Sequence, residues 1–177
     1  MRRLASDALS SGDIAALREL FEAAWSGEPE GFTAQDWEHA VGGVHFILYE
    51  EERVIAHASV VPRELHADGH ALRTGYVEAV ATSPPHQRRG HGSALLREVT
   101  DYIDGAFELG ALDTGSPGYY RRLGWVVWEG PTFVRTNAGP VRTEEEDGSV
   151  LVRLTPRSPK LDLRGPISCD WRPGDAW

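Results

Sequence analysis

The 177-residue sequence contains a single cysteine, Cys169. No intramolecular disulfide can form, and a metal centre built on several thiolates is excluded. The seven histidines stand at positions 39, 45, 57, 66, 70, 86 and 91, with no H-E-x-x-H or Cys/His spacing among them. The chain is therefore read as metal-free. No stretch approaches the ~20 apolar residues of a membrane span. The first residues, Met1-Arg2-Arg3-Leu4-Ala5-Ser6-Asp7, lack the apolar core of a secretion signal, so a cytoplasmic location is expected. Positive charge is scarce as well: 18 Lys+Arg stand against 27 Asp+Glu, a net charge of −9 with His neutral. That deficit argues against nucleic acid and anionic membranes as partners, because a phosphate-rich surface demands a basic face. It suits a cationic partner.

What is present is ordinary for a globular chain, with 41% apolar and 25% charged residues. The length fits a single domain over residues 1–177, and a chain of this size buries roughly 70% of its unfolded surface. Residues 14–25 carry apolar side chains at 14, 17, 20, 21, 24 and 25, the spacing of a helix, with Ser10, Ser11 and Asp13 available to cap it. Residues 33–38 read as a short second helix capped by Thr33. Strands are expected over 44–49 and 54–61, joined by the acidic turn Glu50-Glu51-Glu52, and over 72–82 after the turn Ala67-Asp68-Gly69-His70. A helix over 93–103, a strand over 107–112 and a short helix over 119–123, ended by Gly124, come next. Further strands are read at 125–128, 132–135 and 149–154, and the tail 162–177 as irregular, acidic and aromatic. Strands first, then strands alternating with helices, predict an α+β fold: a mixed central sheet flanked by helices on both faces.

The sharpest local signal lies between Thr82 and Ser93, where a strand runs into Gln87-Arg88-Arg89-Gly90-His91-Gly92 and a helix follows at once. Glycines let successive N–H groups converge on one point at a helix start, which favours an anion, and Arg88 and Arg89 add charge suited to phosphate. The loop matches neither G-x-G-x-x-G nor the P-loop. On these six residues alone, a phosphate cradle and an ordinary turn with exposed arginines both stay open.

The Q-x-x-G-x-G order after a long strand resembles the pyrophosphate loop of the GCN5-related N-acetyltransferases (GNAT). Tyr119-Tyr120-Arg121-Arg122-Leu123-Gly124-Trp125 is similar to that family's Y-x-x-x-G-F/W signature. Within the superfamily, a narrower group is matched by Asp36-Trp37-Glu38-His39, Gly42-Gly43-Val44-His45, Gly75-Tyr76-Val77-Glu78-Ala79-Val80-Ala81, Glu108-Leu109-Gly110-Ala111-Leu112 and Glu129-Gly130-Pro131-Thr132. The ending Cys169-Asp170-Trp171-Arg172-Pro173-Gly174-Asp175-Ala176-Trp177 does so too, a string for which core packing offers no evident reason. These segments, from about Gly31 to the last residue, resemble the aminoglycoside 2′-N-acetyltransferases.

The resemblance implies the GNAT fold, acetyl-CoA as co-substrate, no metal, and a cationic aminoglycoside as acceptor, with a homodimer as the family's habit. It implies that backbone groups of Val80, Ala81 and Thr82 meet the pantetheine arm and one N–H serves the oxyanion. Gln87, Arg88, Arg89, Gly90, His91, Gly92 and Ser93 would hold the pyrophosphate. Glu78 matches the base, acting through a water, and Tyr120 the acid for the leaving thiolate, with adjacent Tyr119 leaving the assignment one residue open.

The acceptor is a polycation, so its site should gather carboxylates. Between Glu19 and Glu52 stand nine acidic residues and no Lys or Arg, whereas the arginine pair sits in the glycine loop. Glu50, Glu51 and Glu52 are read as solvated. By resemblance, Asp36, Asp175 and the α-carboxylate of Trp177 face the acceptor, as does either Glu146 or Asp147. Asp113 and Thr114, at a strand end, are added to them. Two departures bear on the acceptor: Gly31 stands where the family often has an acid, and residues 113–118 form a shorter loop. Both point to a shifted drug range. A kasugamycin-type aminocyclitol, a polyamine or a protein N-terminus are alternative acceptors, and a non-catalytic binder of acyl-CoA or drug is the alternative outside enzymes.

Overall fold

Ser10 opens the first helix because its hydroxyl accepts the Asp13 N–H while the Asp13 carboxylate accepts the Ser10 N–H, satisfying two donors that a helix start leaves over. Thr33 and Asp36 repeat that reciprocal pair. In the computed structural model, which describes residues 1–177, the two helices are α1 (Ser11–Ala24) and α2 (Ala34–Ala40). The apolar stripe of α1 buries Leu17, Leu20 and Phe21, as its 3–4-residue spacing requires.

The chain divides into two compact units, Met1–Val61 with Val77–Val99, and Pro62–Tyr76 with Thr100–Trp177. In the first unit, β1 (Arg2–Ala5) pairs antiparallel with β2 (Val44–Glu50), and β2 pairs antiparallel with the first part of β3 (Arg53–Ala67). The turn between β2 and β3 places Glu51 at φ 47° and Glu52 at φ 69°. Two left-handed residues are what a two-residue hairpin turn demands, although asparagine and glycine fill it more comfortably. The later part of β4 (His70–Thr82) and the start of α3 (His91–Ala106) belong to the same unit. Its core is Leu17, Leu20, Phe21, Ile47 and Ala81, with Trp25, Phe32 and Trp37 packed around it.

The second unit holds the rest of β3 and β4, then β5 (Leu109–Asp113), α4 (Pro117–Arg121), β6 (Val126–Val127), β7 (Thr132–Thr136), β8 (Gly139–Arg142), β9 (Val150–Leu154) and β10 (Ile167–Asp170). Its strands run in the order β6-β9-β5-β4-β3-β10-β7-β8. β4 is parallel to β5 and β10 to β7, whereas β5–β9, β6–β9, β3–β10 and β7–β8 are antiparallel, so the sheet is mixed, as expected. Trp128, Tyr76, Leu109, Val152 and Ile167 belong to its core.

Several boundaries differ from expectation. The tail is not wholly irregular: β10 slots between β3 and β7 and turns Ile167 and Cys169 inward. Cys169 and Trp177 belong to the core, so packing does account for part of the terminal string. β1 and β8 are additional strands. β8 contains Pro140, which a strand at the end of a sheet tolerates. α3 begins at His91 rather than Ser93, and α4 at Pro117, a residue suited to a helix's first turn because its missing N–H costs nothing there. Gly124 follows α4 at φ 87°, the conformation expected of a helix stop.

Candidate functional site

The ladder from β4 to β5 runs from Thr74 opposite Leu109 to Tyr76 opposite Ala111, leaving the later residues of β4 outside it. Within that later stretch Ala79 has φ 48°. For a residue with a Cβ this costs about 1–2 kcal/mol, and such strain persists only where neighbours enforce it. Glu78, just before the kink, is half-buried, and its carbonyl accepts the Ser59 hydroxyl at 3.4 Å. Val80, Ala81 and Thr82 follow the kink, with Ala81 buried in the core and the other two half-buried.

Beyond Thr82, a single 3-10 turn (Pro84–His86) leads into the glycine loop. The Gln87 side chain donates to the Thr82 carbonyl at 3.1 Å, closing the loop onto the strand end. Arg88 at φ 57° and Gly90 at φ 88° both take left-handed backbone, and glycine is the residue that does so without strain. The Gly90 carbonyl accepts the Ala94 N–H at 2.9 Å, so the N–H groups of residues 91–93 emerge at the start of the 16-residue α3. Arg88 and Arg89 are exposed beside them, and the buried Nε2 of His91 has no hydrogen-bond partner. Helix start, two guanidinium groups and one orphaned ring nitrogen fit a pyrophosphate. Glu50, expected to be plainly solvated, is hydrogen-bonded to His86 at 3.0 Å.

The Asp36 carboxylate caps α2, accepting from the Thr33 N–H at 2.7 Å and the Thr33 hydroxyl at 2.8 Å. It thus has a local task of its own. Phe21, Phe32 and Trp37, with Arg18, Glu22 and residues 33–34, line a cavity of about 190 Å³ in this first unit.

In the second unit the charges of two carboxylates, Asp113 and Asp175, bear on a third, Glu146. The Glu146 carboxyl is pushed up to about 7, first by burial and then by the charges of Asp113 and Asp175. Its Oε2 accepts the Ser149 hydroxyl at 3.1 Å. Asp113 Oδ1 is buried with no hydrogen-bond partner. Asp175 is exposed, and its Oδ1 accepts the Trp177 N–H at 3.2 Å. Asp147 has a different place: it ion-pairs with Arg142 and accepts the Thr132 N–H at 3.2 Å, and these bonds hold its carboxyl below the usual range. Of the two neighbouring acids, Glu146 joins the cluster and Asp147 ties β7 to β8. Thr114 shapes the loop after β5, its hydroxyl accepting the Ser116 N–H at 3.0 Å.

The two tyrosines separate clearly. Tyr120 is buried, and burial followed by the charge of Tyr119 raises its hydroxyl, which therefore stays protonated. Tyr119 is half-buried, with the Arg122 guanidinium 5.9 Å over its ring. Trp177 is only 3% exposed, its indole N–H donating to Thr143 Oγ1 at 3.2 Å. Its terminal oxygen accepts from Arg172 at 3.1 Å, and Arg63 donates to the Ala176 carbonyl at 2.7 Å, so two arginines clasp the tail.

A carboxyl raised toward 7 makes a pH prediction. Glu146 binds its proton more tightly in the folded chain than in the unfolded one, so stability is full below about 4.5 and falls as pH rises through 7. Glu146→Gln should abolish that fall, gaining on the order of 1–3 kcal/mol at pH 8 and little at pH 4. Thermal unfolding at the two pH values reads this directly, and an equal change at both would show that burial and its neighbours do not hold Glu146 protonated.

No group of three or more His, Cys, Asp or Glu side chains is arranged to hold a metal ion, and no helix is long and apolar enough to cross a membrane. Residues 6–128 match the acetyltransferase (GNAT) domain family. The chain is 42% identical over 150 residues to an aminoglycoside 2′-N-acetyltransferase of Mycolicibacterium fortuitum, covering 82% of this chain and 77% of that protein. Among solved structures, a GNAT family acetyltransferase of Brucella melitensis in complex with acetyl-CoA superposes with a TM-score of 0.58 at 20% identity, over 91% of this chain and 92% of that one. A GCN5-related N-acetyltransferase of Kribbella flavida superposes with a TM-score of 0.56 at 20% identity, over 73% of this chain, and the match spans only 33% of that longer protein.

Proposed function

The chain belongs to the GNAT acetyltransferases, and on that premise we propose that it transfers an acetyl group from acetyl-CoA to the 2′-amino group of an aminoglycoside. The observation that carries the acceptor class is the buried, unpartnered Oδ1 of Asp113 together with the Glu146 carboxyl, which burial and the charges of Asp113 and Asp175 push up to about 7. A carboxyl that burial and two neighbouring charges hold protonated is relieved of that burden when a polyammonium ligand arrives. The 42% identity to the Mycolicibacterium fortuitum enzyme narrows the polycation to an aminoglycoside. The presence of Asp113 in the cluster, together with Gly31, supports a drug range shifted from that of the relatives.

In this reading the reaction is direct attack within a ternary complex. The amine nitrogen bonds to the thioester carbon, the C–S bond breaks, and the nitrogen gives up a proton. Glu78 receives it through a water, while the buried, protonated Tyr120 hydrogen-bonds the departing sulfur and supplies its proton. An N–H among residues 80–82 stabilises the oxyanion. The loop from Gln87 to Ser93 takes the pyrophosphate, Gln87 by shaping the loop and Arg88 and Arg89 by charge. Cys169 is unsuited to forming an acyl-enzyme, since its thiol is buried, donates to the Ala176 carbonyl, and is raised by that burial. Each turnover removes one ammonium charge from the drug.

The decisive assay follows coenzyme A thiol release with two acceptors, one bearing an amino group and one a hydroxyl at C2′. Turnover only with the first supports the proposal, and equal turnover contradicts it. Replacing Arg88 and Arg89 together by alanine should weaken coenzyme A binding by about tenfold or more, as two charge-assisted contacts are lost. Unchanged affinity by calorimetry would show that the loop does not hold the phosphates.

A further inference from the structure

A line of hydrogen bonds through two buried rings runs from the first residues of the chain to the kink in β4. Ser6 Oγ lies 2.9 Å from His45 Nε2, His45 Nδ1 lies 2.9 Å from His57 Nε2, and His57 Nδ1 lies 2.8 Å from the Ala79 carbonyl oxygen. Both rings are fully buried, and His57 is braced edge-on against Phe21, ring centroids 5.1 Å apart. Burial holds both imidazoles neutral, His45 lowered to about 4 and His57 to about 3.

The direction of every bond then follows from the last one. A carbonyl only accepts, so His57 Nδ1 carries the proton and donates. A neutral His57 must accept at Nε2, which makes His45 Nδ1 a donor. His45 Nε2 in turn accepts from the Ser6 hydroxyl at 2.9 Å, the nearer of that proton's two acceptors, since the Gly43 carbonyl lies at 3.2 Å and already receives the Ser6 N–H. Ser6 Oγ receives the N–H groups of Gly42 at 2.9 Å and Gly43 at 3.1 Å. No ring nitrogen in the line lacks a counterpart, and all three links point toward Ala79.

That carbonyl belongs to the residue at φ 48°. An alanine takes left-handed backbone only where its surroundings enforce it, and the carbonyl of this one meets a fully buried, doubly braced ring. We propose that His57, supported by His45 and Ser6, is a positioning residue: its Nδ1–H fixes the Ala79 carbonyl and so sets the kink that orients Glu78 on one side and residues 80–82 on the other. This rests on the acetyltransferase reading of β4 given above. His57 touches neither substrate, and its effect passes entirely through the backbone of Ala79.

The test has two arms. In the unaltered protein at pH 7 with no substrate, two-bond 1H–15N spectra of the histidine rings should show His57 and His45 as Nδ1–H tautomers, the minority form of free imidazole. A His57 protonated on Nε2 overturns the proposal. In the second arm, His57→Leu, which keeps bulk but has no donor, should lower kcat and weaken coenzyme A binding, each by about tenfold or more, since small misplacements of reacting groups are costly. His57→Asn, whose amide N–H reaches toward the same carbonyl, should recover most of both. A leucine variant as active as the parent, or an asparagine variant no better than leucine, also overturns it. If the leucine variant does not fold, the tautomers and the asparagine kinetics still decide. An unaltered protein with no turnover would contradict the acetyltransferase reading instead, and the thiol-release assay shows that separately.

Discussion

Replacing Glu78 with glutamine is expected to lower kcat/KM for acetyl transfer by about 100-fold, the low end of what a positioned general base contributes. The loss should be steepest at low pH. There the acceptor amine is almost wholly protonated and needs the base, whereas at high pH solvent has already removed the proton. Glutamine keeps the size and hydrogen-bonding reach of the side chain, so coenzyme A affinity should stay near that of the parent. A glutamine variant with an unaltered pH profile would strip Glu78 of its role and return it to an ordinary half-buried carboxylate.

Trp177→Ala is expected to cost about 3–5 kcal/mol of stability, the range for emptying a large aromatic site in a core. The indole is 3% exposed, donates to Thr143, and packs in one cluster with Cys169, Ile167 and Trp128. For a chain of this length each kcal/mol moves Tm by roughly 2–4 °C, so a fall of about 10 °C should be plain in a thermal scan. Removing residues 175–177 would therefore damage folding as well as acceptor binding. Asp175→Asn separates the two: it leaves the indole in place and should raise only the aminoglycoside KM. A Trp177→Ala protein that melts with the parent would show the tail to be outside the core.

The parts of this account that are legible in the amino-acid sequence are those written in neighbouring residues. Ser10 with Asp13 and Thr33 with Asp36 announce their helices because capping is a three-residue affair. The glycine loop is legible for the same reason: Gly90 and the helix after it are adjacent. β1, β8 and β10 are not, since four residues carry almost no periodicity and each is a strand only by virtue of a distant partner. Glu146 and Asp147 are indistinguishable in sequence. Arg142 separates them, and nothing local says which acid it will choose.

The histidines show the limit most clearly. Read as a scatter of seven, they exclude a metal motif and say nothing more. Ser6, His45, His57 and Ala79 meet only because β2 lies against β3 with Ile47 opposite His57, and because α1 supplies Phe21 to one side of the ring. Asp36 teaches the converse. A residue can match an acceptor-binding position and still have an evident structural task in capping α2.

The net charge of −9 also resolves into parts with different work. Asp13, Asp36 and Asp147 are engaged in caps and ion pairs, while the charges of Asp113 and Asp175 add to burial in raising the Glu146 carboxyl. That distinction underlies the choice of a polycationic acceptor.

The most direct test is to incubate the protein with acetyl-CoA and an aminoglycoside carrying several amino groups, and to locate the new acetyl group by NMR of the product. A single acetyl on the 2′-nitrogen, formed in step with coenzyme A, is the predicted result. Acetylation at another amine, or no product while a polyamine is readily acetylated, would contradict it.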